Sequence, residues 1–448
     1  MPTSDEVIEI CSSDEVDLVR LLYVGNDGVP RGRVVDAGRI ESVLTDGINL
    51  SSAMQSFNSL DHLAPGGMFG AAGEIRLLPD TETFRVLPYA DRSAVMLCDL
   101  YDLDRTPWDA DPRSALTSYL EDLPYEASVA FESEFYLTRA TDDGEMVPFD
   151  DSVCFGADGM QSANDVVLDM TDALKAQEMD VVVYYPEYGP GQQELVIEHA
   201  PGKRAADNHI LYKQTVKGVA SNHDIDATFV PKPFPEAAGS GCHIHVSLWE
   251  GDENAFYDPD SEGQYGLSET ARHFIGGVLD HAPALVALTA ASVMSYRRLR
   301  PHMWASAFTC WGQDNREAIA RVPSSQWDEP SATTRFEFKP ADNTANPYLA
   351  ELGILAAGMD GVERELDPGD PLNEDPADMS AAEREERGIQ RLPETLGEAL
   401  DKLEADDLLA DALGETLFRS YIEVKRSQWD EFTGEVTDWE LEKLTRAF

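Results

Sequence analysis

Residues 227–248, ATFVPKPFPEAAGSGCHIHVSL, constrain this chain more than any other stretch. A Pro- and Gly-rich run ends in Gly239-Ser240-Gly241 and passes directly into His243-Ile244-His245. Residues at i and i+2 of a strand face the same way, so both imidazoles can point into one cavity just past a tight turn. Histidine is a common metal ligand, yet two histidines alone favour a metal or phosphate role only weakly. The rest of the chain must supply the other ligands.

Three segments offer them. In Ala130-Phe131-Glu132-Ser133-Glu134-Phe135-Tyr136, two carboxylates share one face of a strand and large aromatics surround them. A solvated strand face would explain the alternation, but the aromatics favour burial beside a cation, since buried carboxylates need such partners. In YYPEYGPGQQE, Glu187 precedes a Gly-Pro-Gly turn and Glu194 follows it, so the turn can fold both carboxylates onto one ion; Asp180 and Glu198 read as surface residues. Arg335-Phe336-Glu337-Phe338-Lys339 alternates again and sets Glu337 between two cations. That pattern fits a salt-bridge ladder or a metal ligand beside a phosphate site. Five glutamates and a histidine at strand edges suit two divalent cations, and oxygen ligands favour Mg²⁺ or Mn²⁺ over zinc. Several arginines follow, Arg297, Arg298, Arg316 and Arg321, of which Arg316 after Asn315 and Arg321 before Val322-Pro323 can bring guanidinium groups to phosphate oxygens. Metals and arginines around a cavity are the parts of phosphoryl transfer. There is no Walker motif and no dinucleotide glycine fingerprint.

Composition narrows the class. The 448 residues suffice for two or three domains. Asp plus Glu is 84 against 34 Lys plus Arg, a formal charge of −50 spread over the whole chain. Such a surface fits a salt-loving cell, where ions screen the self-repulsion, and argues against a nucleic-acid partner. Cys11, Cys98, Cys154, Cys242 and Cys310 form no CxxC pair and no disulfide framework, which predicts a reducing compartment. With no signal peptide and no membrane-spanning run, the expectation is a soluble cytoplasmic protein with no membrane partner.

In chain order, residues 1–15 read as a disordered or helical lead. Residues 18–24, a turn at Asn26-Asp27-Gly28 and VPRGRVV read as a hairpin, and 36–45 as a short helix. EIRLLPD, ETFRVLPYA and SAVMLCDLY complete a small mixed-sheet domain. A helix near 112–121 opens the larger domain. There, strands are expected at 127–137, 180–185, 192–199, 225–230, 243–248, 305–311, 318–322 and 335–339. Helices are expected at 163–178, 205–221, 267–279, 282–293 and 346–360. An acidic loop at 361–380 leads to a helical tail.

FESEFYL, PGQQE, ATFVPKPFPEAAGSGCHIHVSL, SYRRLRP, NREAIARVP and RFEFKPADNTANPYLAELGILAAGMDG occur in an order that resembles the glutamine synthetase family, over nearly the whole chain. The resemblance implies an α+β fold. Residues 1–105 would form a β-grasp-like domain and residues 106–448 a catalytic domain with a curved antiparallel sheet. It implies a homo-oligomer of stacked rings, commonly a dodecamer, with each site closed by a neighbour's small domain. It assigns one metal to Glu134, Glu187 and Glu194 and another to Glu132, His243 and Glu337. His245 would contact phosphate, with Arg335 beside the nucleotide phosphates and Ser247 and Lys339 among the cofactor-binding residues. Arg316 and Arg321 would stabilise the moving phosphoryl group. Arg298 would hold the carboxylate of glutamate, and Gly239 would belong to the loop that contacts it. The implied cofactors are ATP and two or more Mg²⁺ or Mn²⁺ ions. The implied partners are glutamate or a similar amino acid and an amine or ammonium.

The departures concern the nucleophile. The family's glutamate six residues after the arginine matched by Arg298 helps accept a proton from ammonium. Here that position is Trp304, a flat apolar wall or a loop-packing residue. The family's ammonium-binding aspartate aligns with Asp46 or with Ser51. Ala238 replaces an asparagine, Lys339 replaces an arginine and loses its bidentate fork, and residues 362–420 contain no tyrosine for adenylylation. These changes favour a γ-glutamyl–amine ligase acting on an organic amine. The alternatives are an authentic glutamine synthetase and a catalytically weak regulatory or structural ring protein.

Overall fold

The computed structural model describes residues 2–13, 15–261 and 265–447; Met1, Asp14, residues 262–264 and Phe448 lie outside the described residues. Within the 1–15 lead, Ser4–Cys11 is a helix. Thr3 and Glu6 form its capping box, and Val7 and Cys11 bury its inner face.

The small domain holds six strands: β1 (Leu18–Val24), β2 (Pro30–Asp36), β3 (Ile48–Ser51), β4 (Glu74–Pro79), β5 (Arg85–Val86) and β6 (Ser93–Tyr101). Their order is β2-β1-β6-β4-β3, with β5 on β6. β1 runs parallel to β6 and the other pairs are antiparallel, a β-grasp-like arrangement. Val19, Leu21, Leu77, Met96 and Leu100 fill its core. ETFRVLPYA contributes less strand than its composition predicts. Asp80 accepts from the Glu82 amide and starts a 3₁₀ turn at Thr81–Thr83, leaving two residues to pair with β6.

The large domain carries an eleven-stranded sheet. Its strands are β7 (Glu126–Ala140), β8 (Met146–Pro148), β9 (Val181–Pro186), β10 (Gln192–Ile197), β11 (Ala200–Pro201), β12 (Asp226–Thr228), β13 (Cys242–Glu250), β14 (Glu253–Asn254), β15 (Phe308–Gln313), β16 (Ala318–Val322) and β17 (Phe336–Phe338). The main path is β15-β16-β17-β13-β7-β10-β9. Within this sheet, only β15–β16 is parallel among the described pairs. The long β7 is the spine: β13 pairs with its residues Glu126–Ser133, and β10 with Glu134–Tyr136.

Helices cover the sheet, among them Gly202–Asn222, Glu269–Thr289 and Pro347–Glu363. The two helices expected at 267–279 and 282–293 are one continuous helix, Glu269–Thr289, with Pro283 inside it. An internal proline costs about 3 kcal/mol. Phe274, Ile275, Val278, Leu285, Val286 and Leu288 are all buried in the same helix, and each contributes about 1.5–3 kcal/mol, so burial outweighs the break. This helix crosses Pro347–Glu363 closely: a Cβ at Gly277 would lie 2.1 Å from the Ala357 carbonyl oxygen.

The domains are tied by buried polar contacts. Asn346 Nδ2 donates to the carbonyls of Val24 and Gly25 at 3.2 and 3.0 Å. The buried Arg113 meets Asp80 and Asp99 of the small domain and Asp207 of the large one. No helix among the described residues is long and apolar enough to cross a membrane.

Candidate active site

Strand register assembles the site. His243 lies opposite Glu132, Glu194 opposite Glu134, and Glu337 opposite both His245 and Arg321. The alternation of β13 puts His243, His245 and Ser247 on one face. Ligand atoms of Glu132, His243 and Glu337 lie within 4.8 Å of one another, a set suited to a metal ion.

Glu337 is buried and fully engaged. His243 Nδ1 is 3.1 Å from its Oε1, Arg321 Nη1 donates to Oε2 at 2.8 Å, and Lys339 Nζ is 3.5 Å from Oε1. Against the cost of burial, Lys339 and His243 hold this carboxyl well below its ordinary range. Lys339 Nζ also lies 3.2 Å from His243 Nε2. Burial and then the Lys339 charge push the His243 imidazole down. Glu132 is opposed by burial too, yet the His245 ring beside it brings it down to about 2. His245 Nε2 sits 3.0 Å from Glu132 Oε2, off the line of a hydrogen bond. Arg335 Nε donates to His245 Nδ1 at 3.0 Å, so Arg335, His245 and Glu132 form a chain. Ser247 accepts from Trp249 Nε1 at 2.9 Å instead of joining that chain.

The other three glutamates crowd together, and the charges of Arg316 and Lys339 relieve Glu187 only in part. Burial and then Glu134 push Glu187 up to about 7. Burial, Glu134 and Glu132 push Glu194 well above the carboxylate range. Glu194 Oε1 accepts from Tyr185 at 2.6 Å, and Glu187 Oε2 accepts from the Tyr188 amide at 2.8 Å. Glu134 Oε2 accepts from Gln192 Nε2 and the Gly241 amide. Like charges gathered at low dielectric are costly unless a cation joins them, so this donor set fits a hard divalent ion. Glu134, Glu187 and Glu194 do not converge as tightly as the first triad.

Two glycines shape the rim. A Cβ at Gly239 would come 2.6 Å from Arg298 Cγ. One at Gly241 would lie 3.1 Å from His243 Nε2, 3.2 Å from Arg298 Nη1 and 3.3 Å from Glu134 Oε1. Gly241 therefore marks where three predicted site residues meet. Arg298 Nη2 donates to the carbonyls of Pro340 and Ala341, and its Nε is buried without a partner. Arg321 Nε is likewise unpartnered. Arg316 stacks its guanidinium 5.9 Å from the Trp304 ring. Trp304 is 61% exposed. Together with residues 313–317 and 373–375 it lines a cleft of about 370 Å³.

Other predicted residues lie elsewhere. Arg297 stacks on Phe432, outside the cluster. Asp46 pairs with Arg105 at 2.9 Å and Ser51 caps the Ala53 amide, so their contacts stay within the small domain. Gln192, Tyr185 and Glu317 bond to the candidate residues Glu134, Glu194 and Trp304 without having stood out in the sequence. Gln192 and Tyr185 stand inside YYPEYGPGQQE, where the carboxylates drew attention; Glu317 sits in NREAIARVP and had no visible partner.

The family profile described as "Glutamine synthetase, catalytic domain" matches residues 109–444, and that described as "Glutamine synthetase N-terminal domain" matches residues 2–108. The chain belongs to the glutamine synthetase family. The glutamine synthetase of Methanocaldococcus jannaschii is 36% identical over 450 residues, covering 98% of this chain and 97% of that one. That of Halobacterium salinarum is 34% identical, covering 99% and 96%. Among solved structures, a GmaS–ADP complex superposes with a TM-score of 0.86 at 29% identity, covering 98% of this chain and 99% of that one. Membership of the glutamine synthetase family accounts for the two-domain α+β architecture and for a cluster of Glu and His side chains suited to metal at the sheet.

Proposed function

We propose that this chain is an ATP-dependent carbon–nitrogen ligase that joins the γ-carboxylate of glutamate to an organic amine through an acyl phosphate. The observation that carries this reading is the shared carboxylate of Glu337. One oxygen faces His243, a metal ligand, and the other faces Arg321, an arginine for the phosphoryl group. Glu132, His243 and Glu337 would hold the nucleotide-side ion, and Glu134, Glu187 and Glu194 the ion beside glutamate. Mg²⁺ or Mn²⁺ at these ligands would neutralise the oxyanions that meet at phosphorus.

The chain's own groups do the rest. Arg298 Nη1, near Gly241, offers donors to the α-carboxylate of glutamate, with Gly239 leaving room for the loop. A γ-carboxylate oxygen attacks the γ-phosphorus, the bond to ADP breaks, and Arg316 and Arg321 stabilise charge on the moving group. His245 and Arg335 contact the nucleotide phosphates. The neutral amine then attacks the acyl carbon, phosphate leaves with one former carboxylate oxygen, and the proton lost from nitrogen ends on the departing phosphate. Glutamate labelled with ¹⁸O in its γ-carboxylate should therefore yield phosphate carrying one ¹⁸O; unlabelled phosphate would refute the acyl phosphate.

Trp304 supports an organic amine over ammonium, because an indole offers an apolar wall to an organic substituent, which ammonium lacks. The curated relatives named glutamine synthetase support the alternative, in which ammonium is the nucleophile. A catalytically weak ring protein is the third reading, and the engaged Glu/His set speaks against it. Ring assembly would bring Asp46 or Ser51 of a neighbouring copy toward the site. The net charge of −50 supports work at high salt, and the five free cysteines support a reducing cytoplasm. A melting temperature that does not rise with KCl would contradict the salt adaptation.

A further inference from the structure

Three non-glycine residues of one short loop adopt left-handed backbone. His302 has φ 60°, Trp304 53° and Ser306 58°. Such conformations are disfavoured for residues with a Cβ and persist only where the surroundings over-determine them. Each of the three has its own tie. His302 Nδ1 lies 3.0 Å from Asp375 Oδ2. The Trp304 amide donates to Glu317 Oε1 at 2.7 Å. Ser306 Oγ donates to the Ala318 carbonyl at 3.0 Å.

The tie at Trp304 differs from the other two. Glu317 is 6% exposed although the tryptophan it holds is largely in solvent. Its own amide donates to Asn315 Oδ1 at 3.0 Å, and Asn315 Nδ2 donates to the carbonyls of Leu372 and Glu374. The carboxylate therefore starts from a turn pinned to the acidic segment, not from a free surface. The preceding residue, Arg316, reaches the indole of the same tryptophan. Adjacent residues thus grip Trp304 from two sides, Glu317 by its backbone and Arg316 by its ring.

We infer that Glu317 is a positioning residue that sets the Trp304 indole against Arg316 and thereby shapes the pocket for the attacking nitrogen. Glu317 touches no reacting atom; it acts through Trp304. The inference rests on the reading of Trp304 as the wall of the nucleophile site. A hydrogen-bond acceptor suffices for the role. The amide of Glu317→Gln retains one, whereas Glu317→Ala leaves the Trp304 amide without its partner and frees the left-handed loop to relax.

The test has two arms on the whole chain with ATP, Mg²⁺ and glutamate. In the first, hydrogen–deuterium exchange is read over residues 300–306 without turnover. Exchange at Trp304 should quicken about tenfold or more in Glu317→Ala and stay near wild type in Glu317→Gln. Unchanged exchange in Glu317→Ala would overturn the tie. In the second arm, KM is measured for ATP, glutamate and ethylamine, or for ammonium if the wild type uses ammonium alone. Glu317→Ala should raise the KM of the nitrogen nucleophile about tenfold, leave those of ATP and glutamate within about twofold, and be rescued by Glu317→Gln. A parallel rise of all three KM values, or no rescue, would overturn the positioning role. A wild type that uses only ammonium would defeat the organic-amine reading while leaving the Glu317 test intact.

Discussion

Arg321 Nη1 donates to Glu337 Oε2 at 2.8 Å while His243 Nδ1 holds Oε1 of the same carboxylate at 3.1 Å. One buried side chain thus fixes both the arginine proposed for the phosphoryl group and the histidine proposed for the metal. Removing its charge should damage both halves of the reaction at once. Glu337→Gln should lower kcat by about 100-fold or more and raise the Mg²⁺ concentration needed for half activity. Titration of activity against Mg²⁺ checks this, and an unchanged Mg²⁺ dependence would separate Glu337 from the metal.

In the proposed reading, Trp304 stands in for the family's proton-accepting glutamate. Trp304→Glu should restore an acceptor near the incoming nitrogen and raise kcat/KM for ammonium by about tenfold or more, since positioned bases are worth 10²–10⁴-fold. Steady-state kinetics with ammonium as sole nucleophile provide the check. No gain would assign Trp304 to loop packing alone.

His281 offers a test of stability away from the site. Its Nδ1 lies 2.7 Å from Asp406 and its Nε2 3.1 Å from Asp360, joining the helices Glu269–Thr289 and Pro347–Glu363 to the segment that caps Asp407–Leu413. Burial opposes the charged ring, but the two aspartates raise its pKa. A raised folded value means the stabilisation is fully present below the unfolded pKa near ~6.5 and fades as pH climbs through the folded value. His281→Gln should therefore cost about 2 kcal/mol at pH 6 and much less at pH 9. Denaturant midpoints at the two pH values decide it, and an equal loss at both would show that the ring acts uncharged.

Much of this was legible in the chain because strands write their faces with period two. The alternation in FESEFYL, HIHVSL and RFEFK named the residues that now stand together, and Leu18–Val24 and Ala318–Val322 occupy the strands expected of them. Register was not legible. Nothing local says that His245 faces Glu337 or that β7 changes partner at Glu134; those pairings join residues about 60 to 110 positions apart in the chain. Pro283 misled in the other direction, since a local break was outweighed by apolar burial along the whole helix. Glu317 was invisible for the same reason as register. Its partner is a backbone amide thirteen residues away, and backbone amides carry no sequence signature.

The nitrogen donor decides whether this chain makes γ-glutamyl amides of organic amines. The protein should be incubated in high salt with ATP, Mg²⁺ and glutamate, and phosphate release and amide product compared for ammonium, ethanolamine, polyamines and simple monoamines. The expected result is glutamate- and Mg²⁺-dependent release with a γ-glutamyl amide of an organic amine formed at higher kcat/KM than glutamine. Fast release with ammonium alone, or no release with any nucleophile, would contradict it.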